Sequence, residues 1–186
     1  MEFAMSFDAP LDLNSIEAAQ IFDVLYDIFY DDFIANKTFL NGSIYINPQS
    51  HKKEEGKELS FWHLTTRTQS RLKKEGNRTI MIKERLLDFD RAKRIHWIKP
   101  IIDNALATHN IKLFYKKETT KKKPIRLYLW AEDEDFVVIL QKLGKSSSFL
   151  VTSFYITHQR KRDDFQKYYQ DYTAKTNSDL KGCEWF

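Results

Sequence analysis

Of the side chains in this sequence, the five histidines are the best suited to move a proton near neutral pH, and their neighbours sort them. His63 lies in the run LSFWHLTT (59–66), between Trp62 and Leu64, and is the leading acid–base candidate, with a satisfied core histidine as the plainer alternative. His158 closes an apolar run and precedes Arg160, Lys161 and Arg162, which makes it the second candidate. Tyr155, three residues earlier, is the third: its phenol can donate a proton or bind a phosphate, or simply pack. His51 falls in a charged loop, His109 in a turn, and His96 beside Trp97. Arg67, Arg91, Arg94, Lys99, Arg126 and Arg160 are the cations set aside for substrate, with the hydroxyls of Thr152 and Ser153. Arginine suits a phosphate because its planar fork can donate to two oxygens at once. This set of residues fits acid–base chemistry on a phosphate-bearing polyanion.

Other chemistries lack their motifs. There is no H-E-x-x-H, and the single cysteine, Cys183, can form neither a cysteine-based zinc site nor an internal disulfide. Neither a P-loop nor a Rossmann glycine pattern occurs among the five glycines. Asp133-Glu134-Asp135 reads as a solubilising loop tip. No metal and no cofactor is therefore expected. Net charge is a mild +4, but it is unevenly spread: basic residues crowd 112–126, 91–99 and 160–162, while acidic ones gather at 23–32 and 132–135. That asymmetry suits a polyanionic ligand on one side, or a set of solvated loops. The start of the chain lacks the pattern of a secretory signal, and apolar runs are too short to span a bilayer, so a cytoplasmic location without membrane attachment is expected.

The periodicity predicts an α+β protein with N-terminal helices, a short hairpin, then a four-stranded antiparallel meander with a C-terminal helix. Ile21, Leu25, Ile28 and Phe29 give a helix capped at Asn14 or Ser15 an apolar stripe. Residues 43–47 and 59–66 read as the paired strands of the hairpin, 67–77 as a polar stretch and 83–89 as a helical turn. A second helix follows Asp90, bent or divided at Pro100. Strands are predicted at 111–117, 125–132, 136–143 and 149–157, joined by the short links KKKP, DED and GKSSS. A last helix covers about 162–174. The organisation expected is an N-terminal helical extension (1–40), an α+β core (41–175) and a C-terminal tail (176–186).

Alternation gives the meander two faces. Ile125, Leu127 and Leu129 share one; Arg126, Tyr128 and Trp130 share the other. In the last strand Leu150, Thr152, Phe154 and Ile156 oppose Phe149, Val151, Ser153 and Tyr155. The aliphatic face should pack on helices. The cation- and aromatic-rich face is either an open surface that suits RNA, where bases stack on rings and phosphates meet cations, or a second small core.

The run DFDRAKRIHWIKPIIDN, the four predicted strands and FLVTSFYITHQRKR together resemble the barnase–EndoU–colicin–RelE superfamily of metal-independent ribonucleases, in particular its phage- and toxin-associated members. The resemblance covers roughly residues 59–172, and RIHWIKP and LVTSFYI carry most of it. It implies a nuclease-like core and RNA as substrate, with a histidine near the first core strand (His63), cations on the helix entering the sheet (Arg91, Arg94) and polar residues on the last strand (Thr152, Ser153, Tyr155). It also implies an acidic inhibitor or antitoxin as a partner. Two rival readings predict different behaviour. A non-catalytic nucleic-acid-binding module would bind without turnover, and a phage-type protein-interaction module would ignore RNA and hold a protein.

Overall fold

A computed structural model of the chain describes residues 5–119, 122 and 124–185. After short 3-10 turns comes helix α1, Ile21–Tyr30, continued by a wider π turn over Asp31–Ala35. Ile21, Leu25 and Phe29 recur at four-residue spacing, so one face of α1 is buried. Strands β1 (Phe39–Leu40) and β2 (Ile44–Asn47) turn around Asn41 and Gly42, both at positive φ. A two-rung ribbon, β3 (Lys53–Glu54) and β4 (Lys57–Glu58), leads into α2, Leu59–Thr65. Then come two ten-residue strands, β5 (Thr66–Glu75) and β6 (Arg78–Leu87). Helix α3, Phe89–Ala92, a 3-10 turn at Ile95–Trp97 and helix α4, Ile98–Asn104, follow. Pro100 lies in the first turn of α4, where its missing N–H has no helical partner to lose. The chain closes with β7 (Ile111–Lys117), β8 (Ile125–Ala131), β9 (Phe136–Lys142), β10 (Ser147–Tyr155) and α5 (Gln159–Thr173). Of the expected KKKP link, Lys121 and Lys123 lie outside the described residues. No helix among the described residues is long and apolar enough to cross a membrane.

The class is α+β, but the predicted architecture is corrected. The sheet is not a four-stranded antiparallel meander. It has six strands in the order β1-β2-β10-β9-β8-β7 and is mixed, because β2 runs parallel to β10 with Tyr45, Ile46 and Asn47 opposite Ser147, Ser148 and Phe149. Among the described residues five α-helices accompany it. The expected hairpin of 43–47 with 59–66 does not form, because 59–65 is helical and β2 finds its partners in β1 and β10. Alternation shows which way a strand faces but not which distant strand it meets. The polar stretch 67–77 and the expected turn at 83–89 are instead the two arms of one long hairpin, β5–β6, closed at Gly76.

Both faces of the sheet are covered. On one, Leu127, Leu129, Val138, Leu140 and Leu150 pack with Leu25, Phe29, Phe61, Leu64 and the isoleucines of α4. On the other, α5 presses Phe165 against Phe114, Tyr128 and Trp130, with ring centroids 5.8–5.9 Å apart. Tyr128 and Trp130 are therefore buried, and this side is a second core rather than an open surface. A bulge between Leu150 and Thr152 also breaks strict alternation, so Tyr155 falls on the same side as Leu150.

Candidate functional site

β2 covers only the first three residues of β10. Beyond them, the outer edge of β10 is flanked by α2 and α3. α2 follows Glu58, a buried carboxylate held by Lys53 at 3.2 Å and by the Tyr26 hydroxyl at 2.8 Å. Ser60, Phe61, Trp62, Leu64 and Thr65 are buried, and His63 is the exposed residue among them. The helix stops at Thr65, where the hydroxyls of Thr65 and Thr66 donate back to the carbonyls of Phe61 and Trp62.

The C-terminal carbonyls of α2 meet α3. Asp88 caps α3 by accepting from the Arg91 N–H at 3.2 Å, and its other carboxylate oxygen lies 3.8 Å from Arg91 Nε. Arg91 Nη1 donates to the His63 carbonyl (2.6 Å) and the Thr66 carbonyl (3.1 Å). It also reaches Thr152 Oγ1 at 3.4 Å, and the Thr152 hydroxyl in turn donates to the His63 carbonyl at 3.0 Å. Arg91 and Thr152 thus clamp the end of α2 to β10 and fix where the His63 ring can stand.

Beside this clamp is an open hollow of about 310 Å³ whose lining includes Trp62, His63, Arg67, Arg85, Arg91 and Thr152. Arg85 is contributed by β6: its Nη2 bonds Glu54 Oε2 at 2.7 Å and its guanidinium lies 5.1 Å from the Trp62 ring centroid. The imidazole of His63 is pushed below its ordinary pKa by burial and by the positive charges of Arg85 and Arg91, against a smaller opposing pull from the Val151 carbonyl and Glu54. Although part of its surface meets solvent, its ring is crowded enough for burial to lead. A neutral imidazole among guanidinium groups is a proton acceptor poised beside an anion-binding surface. A slightly larger hollow, about 340 Å³, lies where the end of α5 meets the tail near Tyr172 and Leu180, but it is lined without a histidine or an arginine.

The hollow gathers four of the residues singled out in the sequence: His63, Arg67, Arg91 and Thr152. The rest lie outside its lining. Tyr155 is half-buried, its ring under the Arg94 guanidinium at 4.0 Å, and Arg94 is itself buried and bonded to the Asp90 carbonyl at 2.7 Å. Ser153 is fully buried. His158 and Arg160 are exposed at the start of α5. Lys99 pairs with Asp103 at 2.9 Å near β1, and Arg126 reaches Gln141 across β8 and β9 at 3.2 Å.

One cation of the hollow, Arg85, is not among the residues singled out in the sequence. Arg85 belongs to a segment that reads as a helical turn, so nothing local brings it near His63. Lys161, near the start of α5, lines a separate hollow with Lys116, Tyr128 and Phe154, 3.8 Å from the Phe154 ring centroid, and its ammonium is pushed down by burial and by the Arg91 charge. Spacing within a segment does not carry the juxtaposition of Arg85 with His63, since it depends on how distant segments dock. No family model, no curated protein and no solved structure matches this chain.

Proposed function

We propose that the chain is an endoribonuclease of the toxin or phage type, acting by general acid–base catalysis at the His63 hollow. The observation that carries this reading is the placement of one imidazole, held toward its neutral form, in the same hollow as Arg67, Arg85 and Arg91. His63 takes the proton of a 2′-hydroxyl, and the 2′-oxygen attacks the adjacent phosphorus. The bond from phosphorus to the 5′-oxygen breaks, leaving a 2′,3′-cyclic phosphate and a 5′-hydroxyl. The arginines steady the charge gathering on the phosphate oxygens. The leaving 5′-oxygen takes its proton from water, since among the described residues no second imidazole, carboxyl or ammonium lines the hollow. The proton transfer to His63 contributes roughly 10²–10⁴-fold. The resemblance to the barnase–EndoU–colicin–RelE superfamily points the same way, and an acidic inhibitor would find its complement in the arginines of the hollow.

The test is the chemistry of the products. RNA incubated with the purified chain should yield 2′,3′-cyclic phosphate and 5′-hydroxyl ends, and a 2′-O-methyl strand should stay whole. Intact RNA at catalytic excess, or 5′-phosphate ends, would refute the mechanism.

A further inference from the structure

We infer that the β5–β6 hairpin is an arm that grips RNA alongside the hollow. The inference rests on the reading of the hollow as an RNA site and extends it to strand nucleotides beyond the scissile phosphate. The hairpin carries seven lysines and arginines against two glutamates, and nearly all of its residues beyond Thr66 are exposed through to Arg78.

Its register separates the charges. Residues opposite each other in an antiparallel pair share a face. One face carries Thr68 with Arg85, Ser70 with Lys83, Leu72 with Met81 and Lys74 with Thr79. Both glutamates of the hairpin fall on the opposite face: Glu84, opposite Gln69, pairs diagonally with Arg71, and Glu75, opposite Arg78, lies 3.5 Å from Lys73. The first face is therefore cationic and hydroxyl-bearing, and its inner end is the wall of the hollow, since Thr68 and Arg85 line that hollow with His63.

From Thr68 to Lys74 this strip runs about 20 Å at the ordinary rise of a strand. Lys83 and Lys74 supply successive positive charges along it. Between them, Leu72 and Met81 stand opposite each other at 70% and 66% exposure, an apolar pair in open solvent. Phosphates match the cations, and the apolar pair gives an unstacked base a surface to lie on. A protein partner would find no acidic counterpart on this strip to pair its own cations, whereas an RNA strand meets positive charge along the whole strip.

The experiment compares the full chain with two double variants, Lys74→Ala/Lys83→Ala and Leu72→Ser/Met81→Ser. None of the four side chains lines the hollow and all are solvent-facing, and unchanged melting temperatures confirm folding. A 2′-O-methyl twelve-mer measures binding, and cleavable dinucleotide and twelve-mer RNAs measure turnover. The lysine variant should bind the twelve-mer about tenfold more weakly at moderate salt, with a shallower salt dependence by about 1.4 in log–log slope for two lost phosphate contacts. The apolar variant should also bind more weakly, with little change in salt slope. Dinucleotide cleavage should be unaffected in both. Normal dinucleotide cleavage with unchanged twelve-mer binding and KM in both variants would overturn the arm and leave the proposed activity standing. Arm-dependent twelve-mer binding without cleavage of either RNA would support the arm and overturn the acid–base reading. Unchanged RNA binding with altered self-association in sedimentation would assign the hairpin to a protein contact and overturn the inference.

Discussion

The α5-covered face of the sheet and the outer edge of β10 are built from the same kinds of residue, and they differ in what the cations meet. Under α5, Lys112 stands 5.3 Å from the Trp130 ring centroid and 2.7 Å from the Glu132 carboxylate, and Lys116 lies over Tyr128 and Tyr168. Arg162 bridges the Glu132 carbonyl at 2.9 Å and the Asp135 carboxylate. These cations close a core. At the edge of β10, Arg67, Arg85 and Arg91 surround an imidazole in a hollow that opens to solvent. A cation beside an aromatic ring is a binding surface only where no helix lies across it. The difference between the two regions is therefore made by α5 on one side, and on the other by the short reach of β2, which leaves most of β10's edge to α2 and α3.

The comparison breaks most visibly if the α5 side is disturbed. Trp130→Ala should cost about 3–5 kcal/mol of stability, as large-to-small changes in a packed core do. Denaturant titration reads this, and a loss below about 1 kcal/mol would mean that the face is not the core described. Arg91→Met is the corresponding test at the β10 edge. It removes the Arg91 donor from the Thr66 carbonyl and leaves the His63 carbonyl with Thr152 alone, so roughly 1–3 kcal/mol should go, together with a fall in RNA cleavage measured at a temperature where the variant is fully folded.

A smaller effect sharpens the electrostatic half of the comparison. In Arg85→Gln one of the charges that holds His63 down is gone and Glu54 is freed, so the His63 pKa should rise. The acid limb of the pH–rate profile should move to higher pH: cleavage should fall near pH 6 and change least near pH 8. An unmoved limb would disconnect Arg85 from His63. The same depressed imidazole makes a stability prediction. The unfolded chain binds the extra proton, so the contribution of His63 is complete above about pH 6.5 and is lost as pH falls through the lower folded value. His63→Ala should flatten that slope.

The smallest effect is a calibration away from both regions. Burial raises the Asp32 carboxyl to about 6; Lys99 opposes the rise, and Asp103 and Asp31 add to it. The folded value lies above the unfolded one, so the proton stabilises the fold at low pH and that contribution is lost as pH rises through about 6. Asp32→Asn should stabilise the protein at pH 7 by on the order of 1 kcal/mol after solvent screening, and the gain should vanish near pH 4. Melting curves at the two pH values check it.

Much of the second half of the fold was readable because its information is local. β7 to β10 alternate and are joined by short links, so each of them meets its chain neighbour antiparallel. What was misread depends on distance or on burial from all sides. The β2–β10 parallel pair joins segments about a hundred residues apart. The run around Phe61 and Trp62 is rich in aromatic and β-branched residues, yet it is helical, because a short apolar run buried almost all round has no periodicity to choose between the two. The β5–β6 hairpin mixes polar and apolar residues on both faces and so carries no apolar alternation to announce a strand. The site divides in the same way: His63, Arg91 and Thr152 were legible as chemistry on their own segments, whereas Arg85 reaches His63 only through the hairpin that the sequence hid.

The most direct test of the account is the turnover of a single-stranded RNA by the wild-type chain and by His63→Ala, matched in concentration and with melting temperatures measured on the same preparations. The account predicts a fall of roughly 10²–10⁴-fold at pH 7 with the fold intact. Equal turnover by the two proteins, or none by the wild type over any RNA offered, would contradict it.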